Sequence, residues 1–402
     1  MKTTQAKKQE SLVPQELLKE RSHANRSLTI GIPKENQKIE KRLAFTPEAV
    51  DMIVDAGHEV FFEKGAGLGV NYSDAAYAES GAFIAKDTQQ VFSCDLIFKI
   101  APPTLEEVQL MKKKATLLSM LQISDMHAES IKSMCEKQIH AVGYELMNVG
   151  GITFPVRDSI SEIEGAVSLL VASELLSNEK GGKGILLGGI SGVSPTEIVI
   201  IGAGVAGTVA ARAAIALGAS VKVFDSDISK LRKLQSELGM PVFTSVFQPN
   251  VLVNALKTAD VVIGAMRYID DSVRYVVSEG AVQNMKKASL IIDLRVSQGG
   301  CFETTCFLPK DHPMIFDKYG VLHYCVPNVS SRIARTTAMA LSNIFTPLIN
   351  RIGDFGGVAG MATADVDFRS GLYMYNGKLV NSYVAKHFNL SANDIALFLS
   401  VF

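Results

Sequence analysis

Glycines at positions 202, 204 and 207, directly after the apolar run Ile198-Val199-Ile200-Ile201, are the residues best spaced for chemistry with a phosphate. In Gly202-Ala203-Gly204-Val205-Ala206-Gly207 the first glycine permits a sharp strand-to-helix turn. The second lets main chain approach a pyrophosphate, and the third lets helix and strand pack closely, with the helix N-terminus facing the phosphates. An alanine-rich helix is expected over 208–217, closed by Gly218, and the next strand, Val221-Lys222-Val223-Phe224, ends at Asp225. That is about the spacing at which an acid takes the ribose hydroxyls of a dinucleotide. Asp225 is followed by Ser226 and Asp227 with no arginine beside them, so a 2′-phosphate would meet like charge. NAD is therefore expected over NADP.

The elements that must position this site read as two β/α alternations. The first begins with a strand at 28–32. A helix then opens at Thr46-Pro47-Glu48 and runs to about residue 56, and strands follow at 59–63, 95–100, 116–121 and 140–145, with a helix at 128–136. Its opening turn, Gly31-Ile32-Pro33-Lys34-Glu35, lacks phosphate-cradling glycines, so this half should hold substrate. Gly65-Ala66-Gly67-Leu68-Gly69 reads as a plain loop. A helix over about 159–177 connects to the second sheet, which continues through strands at 261–264, 289–293 and 320–327. A second long helix near 333–345, ended or kinked by Pro347, leads back to the first half. The expected fold is α/β, with two Rossmann-like, doubly wound, mostly parallel sheets and a cleft between them. The divisions are an extension at 1–27, a substrate domain at 28–155 completed by 335–402, and a nucleotide domain at 156–334. A short helix over 15–20 is possible in the polar extension.

Composition narrows the function classes. The chain has 402 residues, 47% of them hydrophobic and 20% charged, with a net charge of −1. That is ordinary for a globular protein and gives no basic stripe for nucleic acid or an anionic membrane surface. Five cysteines without C-x-x-C spacing (Cys94, Cys135, Cys301, Cys306, Cys325) suggest neither a disulfide framework nor a zinc site, and no metal is expected. The N-terminus has no apolar signal-like region, and no run reaches the roughly 18 apolar residues of a membrane span, so a cytoplasmic protein is expected.

From about residue 28 onward the chain resembles the alanine dehydrogenase and transhydrogenase α-subunit family. The motifs are Ile30-Gly-Ile-Pro-Lys-Glu35, Arg42-Leu-Ala-Phe-Thr-Pro47, Gly57-His-Glu-Val60, Lys99 at the end of an apolar strand, Gly182-Lys-Gly-Ile-Leu-Leu-Gly-Gly189, Gln298-Gly-Gly-Cys-Phe-Glu303 and His323-Tyr-Cys-Val-Pro-Asn328. The runs 182–189 and 298–303 point to the alanine dehydrogenase branch. The resemblance implies hydride transfer between NAD and an α-amino or α-keto acid. Arg42 and Lys99 would grip the substrate carboxylate and Asn328 would lie near the nicotinamide, with Ser161, Lys230 and Met266 on the cofactor beside the fingerprint residues Gly202, Gly204, Val205, Ala206, Gly207 and Asp225. It also implies a homo-oligomer, hexamer or dimer.

Oxidative deamination needs a cation for the carboxylate, a nearby hydride acceptor, and a general acid/base as water attacks the iminium. The resemblance places a lysine at Ala101, a catalytic histidine at Gln122 and a catalytic aspartate at Ser297, so three expected polar groups are replaced. Read as an extended strand, Asp293, Arg295 and Ser297 point the same way, and Arg267 stands where the family has an apolar residue. Two readings of these cations stand: structural pairs of Arg295 with Asp293 and of Arg267 with Asp270, or a pocket suited to a more anionic amino or keto acid. His127 reads as a surface histidine or a substitute acid/base, His323 as a packed histidine, and Cys301 as a thiol without a histidine partner. A non-catalytic NAD-binding regulatory protein is the contrasting class.

Overall fold

The computed structural model describes residues 26–123, 126–267, 275–306, 308 and 312–399. The short helix read at 15–20 lies outside them.

The strands are β1 (Thr29–Ile32), β2 (Glu59–Glu63), β3 (Phe83–Ala85), β4 (Leu96–Phe98), β5 (Thr116–Ser119), β6 (His140–Gly143), β7 (Glu197–Ile201), β8 (Ser220–Phe224), β9 (Phe243–Ser245), β10 (Val261–Gly264), β11 (Ser289–Asp293), β12 (Ile315–Lys318), β13 (Val321–Tyr324), β14 (Leu372–Tyr375) and β15 (Lys378–Leu379). They form an eight-stranded sheet ordered β15-β14-β6-β5-β4-β1-β2-β3 and a seven-stranded sheet ordered β12-β13-β11-β10-β7-β8-β9. The antiparallel pairings all involve β12, β14 or β15, each at or near a sheet edge. β10 and β11 are buried along their whole length, as strands covered by helices on both faces must be.

The two sheets reverse direction at equivalent places. β1 lies between β2 and β4, and β7 lies between β8 and β10. In open α/β sheets this switch point opens a crevice beyond the strands' carboxyl ends, where ligands bind.

Three local readings are corrected. The connecting helix begins four residues earlier than expected and spans Pro155–Leu176, because Pro155 at its first turn is preset for a helical φ and has no N–H to leave unpaired. The glycine run at 65–69 is a 3₁₀ turn, Ala66–Val70. A Cβ at Gly69 would stand 2.5 Å from the Lys41 carbonyl oxygen, so this turn is packed. The returning helix, Ala334–Asp354, is not ended by Pro347, the first of the two readings made there, but runs on past it. Its buried face, including Leu341, Phe345, Ile349 and Ile352, holds it against the first domain at the expense of the lost hydrogen bond. Ser342 fastens the same helix, accepting from the Thr46 amide at 2.9 Å and donating to the Ala44 carbonyl at 3.3 Å. Among the described residues no helix is long and apolar enough to cross a membrane.

Candidate functional site

The fingerprint glycines have different structural duties. Gly202 has φ 110°, and a Cβ there would meet the Met266 nitrogen at 2.7 Å, so the turn after β7 closes onto the chain leaving β10, its neighbour across the switch point. A Cβ at Gly207 would lie 1.8 Å from the Gly202 carbonyl oxygen. Gly204 differs: its backbone is extended at φ −76°, and a Cβ there meets nothing within 4 Å. The fold does not require glycine at 204, whereas main chain that must approach a pyrophosphate does. The helix that follows, Val205–Ala216, turns its free N–H groups toward that same place.

Asp225 is buried at the end of β8 and ties this loop down. One carboxylate oxygen accepts from the Ala203 amide at 2.7 Å and the other from the Asp227 amide at 2.9 Å. Each oxygen retains a lone pair for a hydroxyl donor. Lys230 sits in the first turn of the next helix, Ile228–Leu238, which Asp227 caps through the Ser229 amide. Met266, partly buried, offers its carbonyl to the Cys301 thiol at 3.6 Å.

On the opposite wall Arg42 is almost wholly buried, and its charge is met by Glu40, a residue that no sequence motif singles out. Arg42 Nη2 lies 2.6 Å from Glu40 Oε2 and Nε 2.8 Å from Oε1, while Nη1 donates to Ser330 at 3.2 Å. Burial alone would lower the Arg42 pKa, but the Glu40 carboxylate more than offsets this and raises it. Asn328, in the left-handed region at φ 55°, donates to Glu40 Oε2 at 3.5 Å, so the candidate nicotinamide-side residue and the candidate carboxylate-binding residue meet on one acid. Lys99 is held between Glu107 at 2.9 Å and Glu35 at 3.3 Å, and its charge is spent inside the first domain. Glu35 also accepts from the amides of Ile100 and Ala101 at 2.6 and 3.3 Å, which fixes the chain where the expected lysine is missing.

Gln122 stands at φ 27°, just past β5, and its side chain reaches the Met120 sulfur at 3.8 Å. Beside it lies a second residue that motifs do not reveal, Glu145. Glu145 Oε1 accepts from the Leu121 amide at 2.6 Å, and Oε2 is buried without a hydrogen-bond partner. Burial pushes this carboxyl up to about 7, against the pull of the Leu121 amide and the Arg267 guanidinium. No local pattern marks Glu145; its character arises from the neighbouring strand end.

The remaining candidates separate by environment. His127 is exposed, at the start of the helix Ala128–Glu136. His323 is buried between Thr304 at 3.0 Å and the Val321 carbonyl at 2.9 Å, and burial pulls it down to about 4. Cys301 is buried and its thiol is pushed far up, chiefly by desolvation and then by Asp293, which removes it as a nucleophile at neutral pH.

The cations after β10 and β11 correct the strand-alternation reading. β11 ends at Asp293, and the chain turns into the 3₁₀ segment Val296–Gln298, so residues 293, 295 and 297 do not share one face of a strand. The turn forms because the Asp293 carboxylate gathers the Arg295 amide at 2.9 Å, the Cys301 amide at 2.8 Å and the Thr305 hydroxyl at 2.6 Å. Ser297 is exposed on that turn. The Arg295 side chain pairs with Glu164 at 3.4 Å and approaches Ser161 Oγ at 3.5 Å, rather than pairing with Asp293. Its Nε is buried without a partner. Arg267 reaches solvent at the cleft, yet the protein crowding its guanidinium, and then Arg295 and Arg157, bring it down to about 10. Asp270, its expected partner, lies outside the described residues.

Comparison with known proteins adds an independent line. The profile described as "Alanine dehydrogenase/PNT, N-terminal domain" matches residues 31–163, and that described as "Alanine dehydrogenase/PNT, C-terminal domain" matches residues 168–382. The chain is 34% identical over 368 residues to an alanine dehydrogenase of Staphylococcus saprophyticus, covering 92% of this chain and 99% of that one. It is 34% identical over 359 residues to one of Bacillus subtilis, covering 89% and 94%. A solved L-alanine dehydrogenase superposes with a TM-score of 0.83 at 31% identity, covering 90% of this chain and 99% of that one. A transhydrogenase structure from Sinorhizobium meliloti shares the fold, with a TM-score of 0.74 at 21% identity, covering 88% and 99%.

Proposed function

The chain belongs to the alanine dehydrogenase/PNT family, and from that premise we propose that it is an NAD-dependent dehydrogenase moving hydride to or from the Cα of a 2-amino or 2-oxo acid. The observation that carries the proposal is the Gly204 approach. It is a glycine that the fold leaves with open space, at the N-terminus of a 12-residue helix and beside the switch point of the second sheet. NAD fits that cradle, and when bound it supplies the hydride acceptor or donor.

The chain's own residues divide the remaining work. Arg42, held rigid by Glu40 and Ser330, presents a preorganised cation to the substrate carboxylate. Asn328 is fixed on the nicotinamide side by the same Glu40. Ser161, Lys230 and Met266 border the cofactor, and Asp225 accepts the ribose hydroxyls.

Glu145 handles protons in place of the histidine expected at Gln122. A carboxyl raised to about 7 can take a proton from the water that attacks the iminium carbon and return it to the departing ammonia. Alanine is a poor fit, because the groups expected at Ala101, Gln122 and Ser297 are gone. The test is calorimetric titration with NADH and NADPH, followed by spectrophotometry with a panel of 2-oxo acids and ammonia. Binding of NADH without oxidation by any acid of the panel would favour a regulatory protein instead.

A further inference from the structure

Arg157, Arg267 and Arg295 lie near one another, and Arg267 stands where the resemblance has an apolar residue. Arg267 and Arg295 follow the carboxyl ends of β10 and β11, which are adjacent and paired through Gly264 and Asp293. Arg157, Ser161 and Glu164 stand at i, i+4 and i+7 on the connecting helix Pro155–Leu176, and therefore on one face of it. Arg295 closes onto that face through Glu164 and Ser161. Arg157 is covered on one side by the Phe154 ring, 3.3 Å away, and touches Asp158 at 3.8 Å at the rim. Glu164 is the only carboxylate within salt-bridge distance of Arg295 among the described residues, and no ion pair to Arg267 is formed among them.

The arginines repel one another in this corner, and the carboxylates in ion pairs with them among the described residues are Glu164 on Arg295 and, at the rim, Asp158 on Arg157. Such an arrangement is costly unless an anion completes it. The buried, unpartnered Arg295 Nε is a donor that still needs an acceptor.

The cofactor's diphosphate already has its own cradle at Gly204 and the following helix N-terminus. Arg267, in contrast, stands near enough to Glu145 of the first domain for its charge to act on that carboxyl. We infer that Arg157, Arg267 and Arg295 bind a second acidic group of the substrate, which makes the substrate a dicarboxylic 2-oxo or 2-amino acid, not a monocarboxylic one. The inference rests on the dehydrogenase reading above.

The test is calorimetry on the full chain saturated with NADH, titrated with pyruvate and with 2-oxoglutarate. The dicarboxylate should bind about tenfold tighter, the size of one charge-assisted hydrogen-bonded contact. Arg267→Gln, at an exposed position that forms no ion pair among the described residues, should bring the ratio close to one. Equal affinities in the unaltered protein, or a ratio that survives the substitution, would overturn the inference. A fall in NADH affinity in place of the ratio would overturn it too, by assigning the cations to the cofactor. Failure to bind NADH at all would refute the dehydrogenase reading, and the same two titrations on the free protein would then decide the acid preference alone.

Discussion

Glu40 closes on Arg42 at 2.6 Å and reaches Asn328 at 3.5 Å, so one buried carboxylate joins the first domain's guanidinium to the turn that leaves the second sheet. This joint has a thermodynamic consequence. Glu40→Gln leaves Arg42 charged and buried without its counter-ion, and should destabilise the fold by about 3–5 kcal/mol. Urea denaturation would measure it. A loss below about 1 kcal/mol would mean that water reaches Arg42 and that the pair behaves like a surface one.

Gly204 and Gly207 should part company on substitution. Gly207→Ala drives a methyl into the Gly202 carbonyl and should cost at least about 1–3 kcal/mol of stability, as overpacking does. Gly204→Ala should leave stability within about 0.5 kcal/mol while weakening NADH roughly tenfold or more, since the methyl occupies the place of the incoming phosphate. Unchanged NADH affinity in Gly204→Ala would remove the cofactor from this loop.

NADH should bind at least roughly tenfold tighter than NADPH, because Asp225 accepts ribose hydroxyls and repels a 2′-phosphate. Asp225→Asn tests this better than alanine, since it keeps an acceptor for one of the two amides that the carboxylate holds, Ala203 and Asp227, where alanine keeps neither and would loosen the loop more. The preference should narrow in Asp225→Asn; equal affinities in the unaltered protein would sink the role.

Glu145 makes stability depend on pH with a defined sign. Its folded-state pKa, about 7, is above the ordinary value of 4.5, so the folded protein binds this proton more tightly than the unfolded chain. The contribution is fully present below about pH 4.5 and is lost as pH rises through 7, a change on the order of 3 kcal/mol. Denaturation midpoints between about pH 5 and 8 should fall less steeply in Glu145→Gln than in the unaltered protein. Parallel curves would place the proton elsewhere.

The strand–turn–helix at 197–216 was legible because it is local: a glycine spacing, an apolar strand before it and an acid after the next strand state the backbone geometry directly. The partners of the charged residues were not. Glu40 meets Asn328 across 288 positions and Arg295 meets Glu164 across 131, and no periodicity encodes such contacts. The alternation argument for residues 293–297 failed because the Asp293 carboxylate captures main-chain amides and ends the strand, a case of side-chain bonding competing with the ladder. Glu145 was hidden for a related reason: its raised pKa comes from burial beside the end of β5, not from its own neighbours in sequence.

Alanine turnover should be feeble, since the loss of a positioned acid/base alone typically removes about two to four orders of magnitude in rate. Ala101→Lys, Gln122→His and Ser297→Asp combined should raise it more than any one of them, because such groups act as a unit. Arg295 should be kept in that variant, since its removal would leave Glu164 buried and unpaired. Initial rates of NADH formation with saturating alanine would report the outcome. Turnover in the unaltered protein at usual enzymatic rates, about 1 to 1000 per second, would show that the missing groups are not needed.

The central claim is that this cleft passes hydride between the nicotinamide and the Cα of a 2-oxo or 2-amino acid. The direct test is to incubate the protein with NADH deuterated at the transferred position, ammonia and a mixture of mono- and dicarboxylic 2-oxo acids, then to analyse the amino acids by mass spectrometry. The mixture lets the protein itself select the acid. The account predicts one amino acid carrying a single deuterium at Cα, formed in step with NADH loss and, at limiting NADH, formed more slowly by Gly204→Ala. NADH bound tightly, with no deuterium in any product, would contradict it.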